Sequence, residues 1–168
     1  MTAEDAQPHT NRYAVDPDID VHVPRERREL RQHPAAVLVA ISSGGVLGAL
    51  ARYGVGQALP HETGTWPWST WLINVTGSAL IGVLMVLITD IWPAQRLLRP
   101  FLGVGILGGY TTFSTAMTDV QQMIAAGHGA LGLAYWLATL AGALLAVTLA
   151  SLVARYALNT IRTQRRPS

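Results

Sequence analysis

The chain is predicted to be an all-α membrane protein with four transmembrane helices. Two observations carry this. The first is the distribution of charge: of 12 basic residues (all Arg) and 10 acidic ones, twelve lie before Pro34 and four after Ala154. Only Arg52, Glu62, Asp90, Arg96, Arg99 and Asp119 are left for the 121 residues between. Soluble domains carry about a quarter charged residues, so this stretch is far too apolar for one. The second is the length of the uncharged runs: 18 residues from Pro34 to Ala51, 27 from Thr63 to Thr89, 19 from Pro100 to Thr118 and 26 from Gly129 to Ala154. A spanning helix needs about 20 mostly apolar residues. A soluble bundle would show polar stripes at helical spacing, and these segments are apolar nearly all round. The same arithmetic excludes a disordered chain and a nucleic-acid-binding module.

The elements follow in order. Residues 1–33 are polar, with scattered Pro and acids, and are expected to stay disordered or at the surface. They hold no apolar run, so no cleavable signal peptide is expected. The apolar middle, 34–154, divides into helices predicted at 34–59, 67–91, 99–124 and 130–154. Short connections near 60–64, 93–99 and 126–129 separate them. A basic tail, 155–168, follows. Trp66, Trp68, Trp71 and Trp92 sit near the ends of the second helix, where Trp prefers the headgroup level.

Arg placement predicts orientation. Arg25, Arg27, Arg28 and Arg31 precede the first helix, Arg96 and Arg99 lie in the middle connection, and Arg155, Arg162, Arg165 and Arg166 follow the last helix. All three regions share one side of a four-helix protein. The other side has only Arg52. The positive-inside rule therefore places both termini in the cytoplasm, in a multi-pass protein of the cell (inner or plasma) membrane.

Several residues carry chemistry. In the first helix Gly44 pairs with Gly48, and Gly45 with Ala49, at the small-xxx-small spacing that lets helix backbones approach in lipid. Arg52 near its end either snorkels to the interface or has a further role. Asn74, in the second helix, must find partners or face water, as an interhelical hydrogen bond or as part of a polar path. The third helix is the most informative, running Gly108-Gly109-Tyr110-Thr111-Thr112-Phe113-Ser114-Thr115-Ala116-Met117. Gly103, Gly105 and Gly108 fit G-x-G-x-x-G literally, but no strand precedes them and the segment lies in a membrane span, so dinucleotide binding is excluded. A Gly pair before a Thr/Ser cluster is better read as a third helix broken near its middle than as a merely flexible, Gly-rich one. Breaks are tolerated at membrane depth only where buried or lining a water-filled cavity. There, freed carbonyls can hold a cation and a new helix N-terminus favours an anion. In the fourth helix Tyr135 and Thr139 share a face one turn apart. There is no Cys, the five His are not spaced as metal ligands, and no residue set supports catalysis.

Together, Gly-Gly-x-x-Gly-Ala-x-x-Arg-Tyr at 44–53, Asn74 with Gly77, and Gly-Gly-x-Thr-Thr-Phe-Ser-Thr at 108–115 resemble the Fluc or CrcB family of fluoride channels, over about residues 36–155. The resemblance implies an antiparallel, dual-topology dimer with two narrow pores. It also implies a structural sodium ion at the dimer centre, held by backbone carbonyls at the positions of Gly108 and Thr111. Asn74 matches the pore amide, Phe113 the first of a phenylalanine pair, and Ser114 and Thr115 the adjacent hydroxyls; Tyr135 and Thr139 are assigned to the same path. The implied function is passive, fluoride-selective flow that lowers cytoplasmic fluoride. Neutral donors replace the water that fluoride sheds, and an electropositive ring edge can face an anion.

One position departs from the pattern. The family's second Phe falls at Ala116. With the one-sided Arg distribution, this favours a heterodimer with an oppositely oriented paralogue over a homodimer. The rival readings are a small multidrug exporter, which lacks its needed acid in residues 35–51, and a membrane scaffold or small four-helix transporter subunit without channel activity.

Overall fold

The computed structural model describes residues 34–92, 95 and 97–164. The expected tail over 1–33, loop residues Pro93, Ala94 and Arg96, and the last four residues lie outside the described residues. The compact unit begins at Ala36, two residues into the first helix. Its elements are α1 (Pro34–Ala58), α2 (Trp68–Asp90), a π-helix (Arg99–Leu107), α3 (Gly108–Tyr110), α4 (Phe113–Ala125) and α5 (Gly129–Gln164). All elements of the described residues are helical.

Three helices are long and apolar enough to cross a membrane: α1, α2 and the Gly129–Ile161 part of α5. At about 1.5 Å per residue, the 23 residues of α2 reach roughly 35 Å, more than a hydrocarbon core of about 30 Å. The first two predicted boundaries agree with the structure to within one residue. The segment expected over 99–124 as one span broken near its middle keeps those outer bounds to within one residue but is three pieces of nine, three and thirteen residues, each too short to cross alone; the fourth boundary differs. The fourth runs ten residues past its predicted end, through Arg155 to Gln164. The sequence Arg155-Tyr-Ala-Leu-Asn-Thr-Ile-Arg-Thr-Gln contains neither Gly nor Pro. Charge ends an apolar run without ending a helix.

α2 lies along α5, and α4 packs on the first half of α5. A Cβ on Gly82 would come within 2.5 Å of the Val147 carbonyl, so these two backbones nearly touch. The Trp71 indole crosses the same seam and donates to the Ala138 carbonyl at 3.4 Å. The core at this end is built from Ala116, Met123 and Tyr135, with Trp66, Trp71, Met117, Val120 and Leu131 against it. Trp66 meets Tyr135 edge to face at 5.4 Å. Facing outward are Leu38, Val39, Leu47 and Leu50 of α1 and Leu137, Leu144, Leu145, Leu149 and Leu152 of α5. Helices that expose this much Leu need lipid or another helix against them.

α1 presents its glycines to the π-helix. A Cβ on Gly48 would overlap the Ile106 carbonyl oxygen, and one on Gly44 the Phe101 carbonyl oxygen. From the other side, a Cβ on Gly109 would come 2.5 Å from the Gly45 carbonyl. This is backbone-to-backbone packing that a single methyl group would wedge apart. The π-helix is itself glycine-rich, and the Gly108 N–H donates to the carbonyls of Gly103 and Gly105. Wide π turns are rare and cluster at functional sites.

Gly48→Ala should therefore destabilise the fold by about 1–3 kcal/mol, whereas Gly54→Ala, whose Cβ meets nothing within 4 Å, should be neutral. Thermal unfolding in detergent micelles compares the two. Equal effects would mean that α1 and the π-helix do not pack this closely.

Candidate functional site at the helix interruption

Helical geometry stops after Tyr110 and resumes at Phe113. Between them Thr111 (φ −75°, ψ 158°) and Thr112 (φ −150°, ψ 120°) are extended. Two extended residues release several backbone groups from the i→i+4 ladder, and buried groups of this kind need partners. Side chains supply them. The Asn74 amide donates from Nδ2 to the Thr112 carbonyl and accepts at Oδ1 from the Thr112 N–H, each at 2.9 Å. Thr112 is the N-cap of α4: its hydroxyl accepts from the Thr115 N–H at 3.2 Å and donates to the Thr115 hydroxyl at 2.9 Å. With the Thr115 amide so occupied, the Thr111 carbonyl instead accepts from Arg52 Nη1 at 3.3 Å. The Thr111 hydroxyl turns back to the Leu107 carbonyl at 3.0 Å. α2 reaches the interruption because Gly77 has no side chain; a Cβ there would overlap the Thr111 methyl.

A cavity of about 430 Å³ lies beside this interruption, with Asn74, Gly77, Thr112, Phe113, Tyr135 and Thr139 in its wall. The structure thus brings four of the six predicted path residues, Asn74, Phe113, Tyr135 and Thr139, to one cavity, along with the two predicted cation positions, Gly108 and Thr111. It does not bring Ser114 and Thr115 to the wall. Both are exposed on the first turn of α4, their hydroxyls at 3.4 Å and 2.9 Å from that of Thr112. Phe113 is 75 % exposed, so its ring stands out from the protein. Tyr135 is wholly buried, and its hydroxyl has no hydrogen-bond partner among the described residues. Thr139 gives its hydroxyl to the Tyr135 carbonyl at 2.8 Å. Ala116, 3 % exposed, lines the cavity and packs in the core with Tyr135 and Met123.

Two features escaped sequence reasoning. Thr112, the node of the interruption, carries the usual N-cap signal, a Thr just before a helical stretch. The other is a second polar group further along α4: His61 Nε2 lies 3.7 Å from Asp119 Oδ1, with His61 Nδ1 also 3.5 Å from the Ser69 hydroxyl. Asp119 is 7 % exposed, and nothing in its spacing announces a partner 58 residues away. Among the described residues no three His, Cys, Asp or Glu gather as metal ligands.

Helices able to cross a membrane, folded round a polar interruption with neutral hydrogen-bonding groups, define a class: a membrane protein whose site is backbone as much as side chain. The family model described as CrcB-like protein, Camphor Resistance (CrcB), matches residues 39–151, and the chain belongs to this family. It is 48 % identical to the Fluoride-specific ion channel FluC 2 of Streptomyces avermitilis over 125 residues, 74 % of this chain and 79 % of that one. It is 52 % identical to FluC 2 of Thermobifida fusca over 115 residues, 68 % of this chain and 85 % of that one. A second Streptomyces avermitilis protein, Fluoride-specific ion channel FluC 3, is 47 % identical over 92 residues, 55 % of this chain and 45 % of that one.

Removing the cap isolates the helix start from the rest of the site. Thr112→Ala should cost about 1 kcal/mol of stability and Thr112→Ser much less, read as unfolding midpoints in micelles. Equal midpoints for Ala and wild type would show that the capping bond contributes nothing.

Proposed function

We propose that the chain is one subunit of a passive fluoride channel of the cell membrane. Membership of a family whose relatives are named fluoride-specific ion channels, joined to a cavity walled by neutral groups at the helix interruption, carries this reading. In it, Arg99–Ala125 forms a fourth span, broken at Thr111–Thr112, and both termini face the cytoplasm. Fluoride moves down its gradient, out of a cell that has accumulated it.

The residues act as follows. Asn74 spends one amide hydrogen on Thr112, and its second remains for an anion in the cavity. Tyr135 lines the cavity from α5, its hydroxyl buried and without a hydrogen-bond partner among the described residues. Phe113 directs a ring edge at the path. Ser114 and Thr115, exposed on the first turn of α4, serve the path from the outer face, where a second subunit completes it. Among the described residues no charged side chain lines the cavity, so selection rests on pore width and on how well these donors replace water.

A structural sodium ion fits the donor set. Hard cations take oxygen ligands. The Thr112 amide, which would close a helix turn onto Gly108, is given to Asn74 instead, leaving the Gly108 carbonyl open, and Gly108 lies at the exposed surface of the subunit. The Thr111 carbonyl is shared with Arg52. Two carbonyls from one chain are half a shell, so Gly108 and Thr111 would hold the ion together with a second subunit. A bound sodium would supply fixed positive charge at that junction.

The second subunit is an oppositely oriented paralogue in preference to another copy. The Arg distribution favours one orientation, Ala116 stands where a ring is expected, and Streptomyces avermitilis carries two related channels, FluC 2 and FluC 3. Fluoride efflux from liposomes tests all of this. Weak efflux is expected from this chain alone and rapid efflux once its paralogue is added, with Phe113→Ile reducing the rate at least about tenfold. Rapid efflux from this chain alone would remove the obligatory partner. An assembled pair that passes no fluoride would leave the scaffold reading.

A further inference from the structure

We propose that Asn74 is a positioning residue that splints the helix interruption and thereby sets which backbone carbonyls are free. This rests on the channel reading for its consequences but not for its geometry. A regular helix through 108–115 would pair the Thr112 amide with the Gly108 carbonyl and the Thr115 amide with the Thr111 carbonyl. Both bonds are replaced. The Thr112 amide goes to Asn74 Oδ1 at 2.9 Å, and the Thr115 amide to the Thr112 hydroxyl at 3.2 Å.

Asn74 acts on Thr112 at both ends, taking its N–H and returning a hydrogen bond to its carbonyl at 2.9 Å. It pairs with this residue as a neighbouring β-strand would, and Thr112 has the extended φ and ψ that such pairing requires. The two bonds also fix which way the amide points, since a flipped Asn would set donor against donor and acceptor against acceptor. Asn74 is braced in turn: the Ser78 hydroxyl donates to its backbone carbonyl at 2.8 Å. Beside it, Thr76 and Tyr110 join their hydroxyls across α2 and α3 at 3.0 Å.

Arg52 holds the other end of the interruption through the Thr111 carbonyl. Among the carbonyls released before the break, that of Gly108 is the one whose helical partner, the Thr112 amide, Asn74 takes. Without Asn74, the nearest replacement partner for the Thr112 amide is that same carbonyl, four residues back. The interruption would then close toward helix, and the Gly108 oxygen would be lost to any ion. On this account Asn74 exposes a cation ligand by occupying the amide that would otherwise cover it.

The test compares the full chain in lipid nanodiscs as wild type, Asn74→Leu and Asn74→Asp. Backbone carbon shifts at Gly108 and Thr112, the exchange rate of the Thr112 amide, and the sodium dependence of the thermal midpoint are followed in each. Asn74→Leu should move the Thr112 shifts toward helical values and abolish sodium dependence. Asn74→Asp keeps the acceptor and loses the donor. Its Thr112 amide should stay protected to within about tenfold, the factor of one net hydrogen bond, while the Thr112 carbonyl shift changes. If Leu prevents folding, the Asp variant decides. A wild-type measurement, the coupling across the hydrogen bond from the Asn74 side-chain nitrogen to the Thr112 carbonyl carbon, needs no variant, and its absence would overturn the proposal. Unchanged Thr112 shifts in Asn74→Leu alongside lost fluoride flux would make Asn74 an anion ligand only. Moved Thr112 shifts in a chain whose wild type passes no fluoride would sink the channel and leave the splint standing.

Discussion

The structure turns on one demand: a helix that stops and restarts inside an apolar chain must find a partner for each backbone group it releases. Water at the surface would meet this at little cost. In apolar surroundings an unpaired amide or carbonyl costs on the order of several kcal/mol. Thr111 and Thr112 create the demand, and Asn74, Arg52 and the Thr112 hydroxyl answer it with bonds of 2.9 to 3.3 Å. These three polar side chains come from α1, α2 and the interruption itself. Removing the polar group of any one of them would leave a backbone group without its partner.

The glycines serve the same end. Asn74 and Arg52 can reach the interruption only if their helices run close to it. Gly77 lets α2 approach the Thr111 side chain, and Gly44 and Gly48 let α1 approach the π-helix. Close backbone approach in lipid depends on small residues, so the Gly pattern and the polar contacts form one device. A larger residue at Gly48 would strain a seam, and it would also carry Arg52, one turn further along α1, away from the Thr111 carbonyl.

Much of this was legible in the sequence, and the rest was hidden for physical reasons. Charge spacing located α1 and α2 to within one residue, because a run of apolar residues of spanning length has few other uses. It missed the end of α5, because Arg155 marks where an apolar run ends, while helix continues through any sequence free of Gly and Pro. Gly108-Gly109 beside two Thr marked the interruption region, but the pairing of Asn74 with Thr112 spans 38 residues and leaves no periodic trace. The His61–Asp119 contact was invisible for the same reason. The resemblance assigns Ser114 and Thr115 to the path with Phe113; on the first turn of a helix three consecutive residues point in three directions, and of the three only Phe113 lines the cavity of this subunit.

Ala116 shows how one substitution alters the proposed path without disturbing the fold. It lies one turn from Phe113 on α4, yet the two side chains differ completely in setting: Phe113 is 75 % exposed and Ala116 3 %. A ring at 116 would have to enter the space now shared with Tyr135 and Met123 or turn into the cavity that Ala116 lines. The wild-type chain fills its core without that ring, so the loss falls on the cavity, which keeps the Asn74 amide and has aromatic side chains at Phe113, Tyr135 and Trp136 but none at 116. In the proposed pair, a partner with both rings would build two unequal paths, and the inequality would be set by this one methyl group. The one-sided distribution of Arg and the Ala at 116 are independent features of the sequence. In the proposed channel both favour a partner other than a second copy of this chain.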